Sequence, residues 1–229
     1  MLESETQSIP VIAIDGPSGS GKGTVAGAVA AALGWHLLDS GALYRVVGHM
    51  CTIRGVDSSD ESAVAVLADA LAIEFRGTQV FADDLEVTDA IRTEEAGVAA
   101  SKVAAMPTVR DAISDLQHRF RQMPGLVADG RDMGTVVFTD AAVKIFLDAS
   151  AKERADRRYK QLKNKGLSVS LRDLLAQIQE RDERDTQRVV APLRPADDAT
   201  VIDSTRMTFE EVLSTVMKLV VTAGFKPLV

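Results

Sequence analysis

An α/β fold, in which helices cover both faces of a five-stranded parallel sheet, is predicted by three features of this sequence. Short apolar runs recur along it: Ile9-Pro-Val-Ile-Ala-Ile14, Trp35-His-Leu-Leu38, Leu126-Val-Ala128, Val143-Lys-Ile-Phe-Leu147 and Thr200-Val-Ile202. Stretches of helical character separate them, and each run stops at an aspartate: Asp15, Asp39, Asp129, Asp148 and Asp203. Short continuous apolar runs suit strands buried on both faces, and their alternation with helices argues for parallel pairing. Ligands in such folds sit beyond the carboxyl ends of the strands, where these aspartates fall.

The helices are expected over residues 22–33, 41–53, 107–122, 151–163, 171–188 and 208–221. Two segments break the rhythm. Residues 73–87 read as short antiparallel strands joined by Gly77 and an Asp83-Asp84 turn, an insertion between core elements. Residues 154–170 are dense in Lys and Arg and broken by Asn164 and Gly166, which predicts a solvated helix end and a mobile loop. The division that follows assigns residues 10–40, 101–150 and 171–229 to the core and 41–100 to the insertion. Residues 151–170 form a lid, and 1–9 a flexible N-terminus.

Composition narrows the function. The 229 residues are 46% hydrophobic and 26% charged, an ordinary globular balance. With 26 Lys and Arg against 33 Asp and Glu, the net charge of -7 disfavours a nucleic-acid polymer as partner. The single Cys51 forms no internal disulfide and has no cysteine neighbours at metal-ligand spacing. No run approaches the roughly 18 apolar residues of a membrane span, and the start of the chain is unlike a signal peptide. A soluble, cytoplasmic protein is expected. His36, His49 and His118 are dispersed and read as structural.

Gly16-Pro-Ser-Gly-Ser-Gly-Lys-Gly-Thr24 lies between the first strand and the first helix. Glycines at 16, 19, 21 and 23 let backbone N–H groups turn toward phosphate oxygens, with Pro17, Ser18 and Ser20 between them. The helix N-terminus adds its positive end, and Lys22 bridges the terminal phosphates. The general motif places a hydroxyl directly after the lysine to hold Mg²⁺. Here Gly23 stands there and the hydroxyl follows at Thr24, so no direct protein ligand is expected and Mg²⁺ is held by phosphates and water.

Asp39-Ser-Gly-Ala-Leu-Tyr-Arg45, Ala128-Asp-Gly-Arg-Asp-Met-Gly134 and Arg181-Asp-Glu-Arg-Asp-Thr-Gln-Arg188 join this loop in a combination that resembles bacterial cytidylate kinases, within the nucleoside monophosphate kinases. The resemblance runs from about Pro10 to the last helix. It implies a P-loop kinase core with an enlarged acceptor-side insertion and a short lid. It also implies ATP-dependent conversion of CMP and dCMP to their diphosphates, with Mg²⁺ accompanying ATP.

The residues fit that chemistry. An acceptor phosphate with a second pKa of about 6 is already largely dianionic, so neither a general base nor a protein nucleophile is needed. Positioning and charge neutralisation are needed. Arg45, Arg110, Arg131, Arg181 and Arg188 can supply cations beyond Lys22, and the arginine fork suits phosphate oxygens. Arg181, Asp185 and Arg188 recur at helical spacing, whereas Asp182 and Arg184 read as a solvent-exposed ladder. Cytosine offers an amino donor at N4 beside acceptors at N3 and O2, which a carboxylate and an arginine can meet. The resemblance assigns Ser101, Arg110 and Asp132 to the base, Arg181 and Asp185 to the sugar, and Arg45, Arg131 and Arg188 to the acceptor phosphate. Ser40, at a helix start, and Tyr44, beside Arg45, complete the expected CMP site. Lys22, Asp129, Arg131 and Arg188 are the expected catalytic set. Asp15 and Asp129 both close strands beside the loop and could orient Mg²⁺-bound water, Asp129 being favoured. Arg154, Arg157 and Arg158 are expected in the lid, closing over the transferring phosphate. A kinase for uridylate or a sugar acid, and a non-catalytic nucleotide switch, are the alternatives. A guanine-reading Asn-Lys-x-Asp is absent, since Gly166 and Leu167 follow Asn164-Lys165. No apolar stripe demands a partner, so a monomer is expected.

Overall fold

Every residue of β1 (Val11–Asp15) is buried, because the strand lies at the centre of a sheet with helices on both faces. Its side chains divide by parity. Val11 and Ala13 join one apolar cluster, and Ile12 and Ile14 the other, the period-two alternation of a doubly covered strand. The structure is a computed structural model and describes residues 9–77, 79–164 and 166–228. The N-terminal segment expected to be flexible lies, apart from Ile9, outside the described residues.

After β1 come α1 (Lys22–Leu33), β2 (His36–Asp39), α2 (Ser40–Arg54), α3 (Glu61–Ala70), β3 (Ile73–Arg76), β4 (Gln79–Ala82) and β5 (Leu85–Glu86). Then follow α4 (Glu94–Val103), α5 (Pro107–Arg119), β6 (Leu126–Gly130), β7 (Val143–Asp148), α6 (Ala151–Asn164), α7 (Leu171–Thr186), β8 (Thr200–Asp203) and α8 (Phe209–Thr222). The five expected strands form one parallel sheet in the order β2-β6-β1-β7-β8. Register pairs Asp15 with Gly130, Asp39 with Asp129 and Asp148 with Asp203, so the strand ends do share one edge.

Helix α1 shows why this sequence makes that layer. Gly21 and Gly34 take left-handed conformations at its two ends. Val25, Ala26, Val29, Ala30 and Leu33 pack with Ile12, Ile14, Ile145 and Leu147 of the sheet and with Val212, Val216 and Val220 of α8. Each buried valine, leucine or isoleucine contributes about 1.5–3 kcal/mol of transfer free energy, and the small alanines let the helix lie close to the sheet. The other face is covered by α2, α3 and α5, with Leu43, Val46, Val47, Leu67, Val109 and Ile113 fully or almost fully buried.

The insertion holds three antiparallel strands, β3-β4-β5, with Gly77 and Asp83 at positive φ in the turns. Helices α3 and α4 flank them. Two helix ends differ from expectation. Helix α5 stops at Arg119. Helix α7 stops at Thr186, because the chain turns back and Leu193 N donates to Asp185 O at 2.8 Å. Arg188 therefore lies just past the helix rather than on it. Among the described residues no helix is long and apolar enough to cross a membrane.

Candidate active site

The segment between β1 and α1 folds into a cradle with no room for a side chain at Gly16 or Gly23. At Gly16 φ is +152°, and a Cβ there would fall 2.1 Å from the carbonyl oxygen of Leu147. The Lys22 ammonium folds back across the loop, donates to Pro17 O at 3.2 Å and lies 3.9 Å from Asp129 Oδ1. Burial pushes Lys22 down to about 7, helped by the positive charge of Arg131, while Asp129 acts in the opposite sense. Burial pushes the Asp129 carboxyl up, against the pull of Lys22. Ser20 Oγ and Asp129 Oδ1 are buried without a hydrogen-bond partner among the described residues. Ser18 is half-buried, and Thr24 is exposed on the first turn of α1.

Gly23 acquires a physical reason here. A Cβ at residue 23 would lie 2.8 Å from Asp129 Oδ2. The carboxylate at the end of β6 thus occupies the space a side chain after the lysine would need.

The five strand-end aspartates share an edge but not a role. Asp39 caps α2 by accepting from Ala42 N at 3.0 Å. Asp148 accepts from Ala149 N, and Asp203 from Thr205 N. Asp15, directly before Gly16 and the less favoured candidate for orienting Mg²⁺-bound water, accepts with its two carboxylate oxygens from Met133 N and Gly134 N, both at 2.8 Å, and so anchors the π-helical turn at Met133–Val137 that follows Asp132. Burial pushes its carboxyl up to about 7 against those two hydrogen bonds. Of the five, Asp129 is the one in an ion pair with Lys22. Strand-end position alone does not separate these cases; the glycine directly after the lysine and the Asp-Gly-Arg-Asp run do.

Beyond β6 the side chains converge. A cavity of about 40 Å³ is lined by Ser40, Tyr44, Ser101, Arg110, Arg131, Asp132, Arg181, Asp185 and Arg188, nine of the ten residues expected for CMP. They come from α2, α4, α5, the end of β6 and α7 with its exit. Arg110 and Asp132 are both buried and pair with each other. Ser101 Oγ donates to Asp185 Oδ1 at 2.9 Å, so it sits with the residues assigned to the sugar rather than against that pair. Arg131 Nε donates to Asp185 Oδ2 at 3.1 Å, Arg181 lies 3.9 Å from the same oxygen, and Arg188 Nε donates to Asp185 O at 3.3 Å. Burial opposes ionisation of Asp185, yet Arg131, Arg181 and Arg188 hold its carboxyl below the usual range. Burial pushes the Tyr44 hydroxyl up to about 12, and the Arg110 guanidinium lies 5.9 Å from its ring centre. Ser40 is the first residue of α2, buried, with Asp39 rather than Ser40 as the cap. Arg45 is the tenth residue. It stands beside the cavity, donating to Ile91 O at 3.0 Å and Thr93 O at 3.2 Å. Arg181 Nε and Arg188 Nη2 are buried without a hydrogen-bond partner among the described residues and leave donors for an anion.

A cavity of 40 Å³ does not hold a nucleotide. Most of its arginines and aspartates pair with one another, so a bound nucleotide would exchange into those pairs. A wider cleft of about 540 Å³ adjoins it between α4 and α7, with Ser18, Glu94, Arg158 and Arg181 on its walls.

The three arginines of α6 are not alike. Arg154 was expected on a solvated helix end, free to close over phosphate. It is 4% exposed and donates to Ala149 O at 2.8 Å, Ser18 O at 2.9 Å and Asp182 Oδ1 at 3.0 Å. Its physical reason is position along the helix: Arg154 lies in the first turn, against the sheet end and the loop. Arg157 reaches Glu153 at 3.0 Å and Ser204 O at 2.6 Å. Arg158, one turn farther out, is partly exposed and bound to Glu94 of α4 at 2.6 Å. Asp182, left out of the expected site, is the partner that the sequence concealed. Arg184 is the surface pair expected, with Glu180.

A glycine-rich loop with one inward-folded lysine, next to an arginine-aspartate cavity, has the chemistry to hold two anions. A family model described as cytidylate kinase matches residues 12–222. A protein of Pseudomonas aeruginosa strain UCBPP-PA14 named cytidylate kinase is 57% identical over 216 residues, covering 92% of this chain and 94% of that one. One of the same name from Aeromonas salmonicida is 56% identical over 215 residues, covering 92% and 94%.

Proposed function

The chain belongs to the cytidylate kinase family, and we propose on that footing how its own residues divide the work of phosphorylating CMP and dCMP with ATP as donor. One observation carries the proposal. The end of β6 delivers Asp129 to Lys22 and the phosphate loop, while Arg131 and Asp132, two and three residues on, enter the acceptor cavity. Donor and acceptor therefore meet across one rigid strand end.

In this reading the loop 16–24 and the α1 N-terminus hold the ATP phosphates, with Lys22 on the terminal ones. Arg110 and Asp132 face the base, Ser101, Arg181 and Asp185 the sugar side, and Ser40, Arg45, Arg131 and Arg188 the acceptor phosphate, with Tyr44 as wall. A CMP phosphate oxygen attacks the γ-phosphorus, and the bond to the β,γ-bridging oxygen breaks. ADP leaves with the electron pair, and dianionic CMP gives up no proton. Arginines that start paired to Asp185 turn their donors to the phosphates, fixed charge replacing water. Uridylate would set acceptor O4 against Asp132, a mismatch of buried polar groups that disfavours it.

The residues fit Mg²⁺ as expected: Asp129 Oδ1 is buried beside the lysine with no hydrogen-bond partner among the described residues, and Gly23 leaves room for the other carboxylate oxygen, Oδ2. Asp129 would hold water of a phosphate-bound Mg²⁺, which when bound neutralises charge on the donor phosphates. The division into core, insertion (41–100) and lid (151–170) belongs to the same proposal, with Arg158 and Arg157 as the lid arginines nearer solvent. So do action as a monomer and in the cytoplasm.

Titrating ATP with each nucleoside monophosphate and measuring ADP tests it. CMP and dCMP should drive ADP formation far faster than UMP, AMP or GMP. No CMP-dependent ADP would end the proposal.

A further inference from the structure

Helix α7 carries Arg181 and Asp185 into the acceptor cavity, yet Asp182, on the same turn, points elsewhere. Its two carboxylate oxygens take both terminal nitrogens of Arg154, which is otherwise spent on the backbone of the phosphate loop and of the β7 exit. Arg154 keeps almost no contact with water, and Gly19 of the loop packs on its stem, with a Cβ there falling 3.4 Å from Arg154 Cβ. An arginine fork held at both ends by fixed acceptors is a rigid strut, because its planar geometry leaves few alternative arrangements.

We propose that Asp182 is a positioning residue for phosphoryl transfer: through Arg154 it ties Ser18 of the phosphate loop to the helix that presents Arg181 and Asp185. The inference rests on the assignment of the loop to ATP and of α7 to CMP. In-line transfer demands that the two phosphates keep a common frame, and a misplacement of about 1 Å costs on the order of 100-fold. The strand end at β6 supplies one link between donor and acceptor sides, and the Asp182–Arg154–Ser18 strut supplies a second from the opposite wall. Asp182 touches neither nucleotide in this scheme.

The test uses the full chain with Asp182→Asn, which keeps size but loses the charged two-oxygen grip. Expected are a fall in kcat and a rise in the KM for ATP, each about tenfold, with the Kd for CMP alone within about twofold of the parent. Asp182→Glu, which keeps the carboxylate, should recover at least part of both. Arg154→Lys should match Asp182→Asn, and the double variant should be no worse than either single one, since both break the same strut. Equal weakening of ATP and CMP would mark a merely structural pair and overturn the proposal. So would multiplicative losses in the double variant, or kcat and KM for ATP unchanged in Asp182→Asn. Affinity for a non-hydrolysable ATP analogue reads the loop without turnover. A parent chain inactive on CMP would therefore count against the proposed function, whereas unchanged analogue binding in Asp182→Asn counts against the strut.

Discussion

The donor cradle and the acceptor cavity are built from opposite materials. Residues 16–24 make the cradle from contiguous backbone, and one side chain, Lys22, reaches across it. The cavity is made of side chains from α2, α4, α5, β6 and α7, brought together from positions as far apart as Ser40 and Arg188. The cradle should consequently break when atoms are added, and the cavity when atoms are removed. It also follows that the two should fail separately, each affecting mainly its own nucleotide.

The largest expected effect is at the place where they meet. Lys22→Met removes the loop cation proposed to face the transferring phosphate, and kcat should fall by about 1000-fold, in line with the loss of preorganised charge stabilisation. Affinity for CMP without ATP should change little, which calorimetry would check. A comparable loss of CMP affinity would show that the two sites share Lys22.

Adding one methyl comes next. Gly16→Ala puts a Cβ where the Leu147 carbonyl oxygen already lies, so either the loop or β7 must move. A loss of about 100-fold in kcat/KM for ATP is expected, with a lower Tm, because the positive φ adds strain to the clash. The KM for CMP in the residual activity should stay near the parent value. Tolerance of alanine at residue 16 would refute the claim that the loop leaves no room beside Leu147.

Removing atoms tests the other half. Asp132→Ala leaves Arg110 buried without its carboxylate and should raise the KM for CMP by about 30-fold, the cost of an unpaired buried charge. The KM for ATP should remain within about threefold. Equal effects on both nucleotides would remove Asp132 from the base and make it a general support.

The same contrast explains how much the sequence disclosed. The five strands, the loop and helix 22–33 were legible because they are local: a short apolar run, glycines and a lysine in order need no distant partner. The cavity was not legible by spacing. Spacing pairs neither Ser101 with Asp185 nor Arg110 with Asp132; the resemblance gathered all four into one site but put Ser101 with the base and Asp185 with the sugar. Arg154 misled for a related reason. It shares a charged helix with Arg158, and at three to four residues apart they project to one side. Distance from the sheet along the helix axis decides that one is buried and the other partly exposed, and that distance is set by where α6 starts after β7. Asp182 followed the same logic, since its role depends on a partner 28 positions away. The five aspartates likewise shared a position, but Asp39 is claimed by the first turn of α2, Asp15 by the π-helical turn after Asp132, and Asp148 and Asp203 by the backbone just beyond their strands, and strand-end position does not tell these partners apart.

The smallest effect is a proton. Lys22 can lose its charge near neutrality, being pushed down to about 7 by burial and by Arg131. At pH 8 the free protein should carry it largely neutral, and the ATP phosphates should restore the ammonium by raising its pKa. ATP-analogue binding at pH 8 should therefore take up to about one proton from the buffer. Calorimetry in buffers of different ionisation enthalpy reads this as a buffer-dependent heat, which should shrink at pH 6, where Lys22 is already protonated, and vanish in Lys22→Met. CMP should show no such uptake at pH 8, because its phosphate is already dianionic and the groups that meet it are arginines that stay charged. Buffer-independent heats for both ligands would mean that Lys22 stays charged in the free protein. The donor side would then be as fixed in charge as the acceptor side, and the two regions would differ in construction alone.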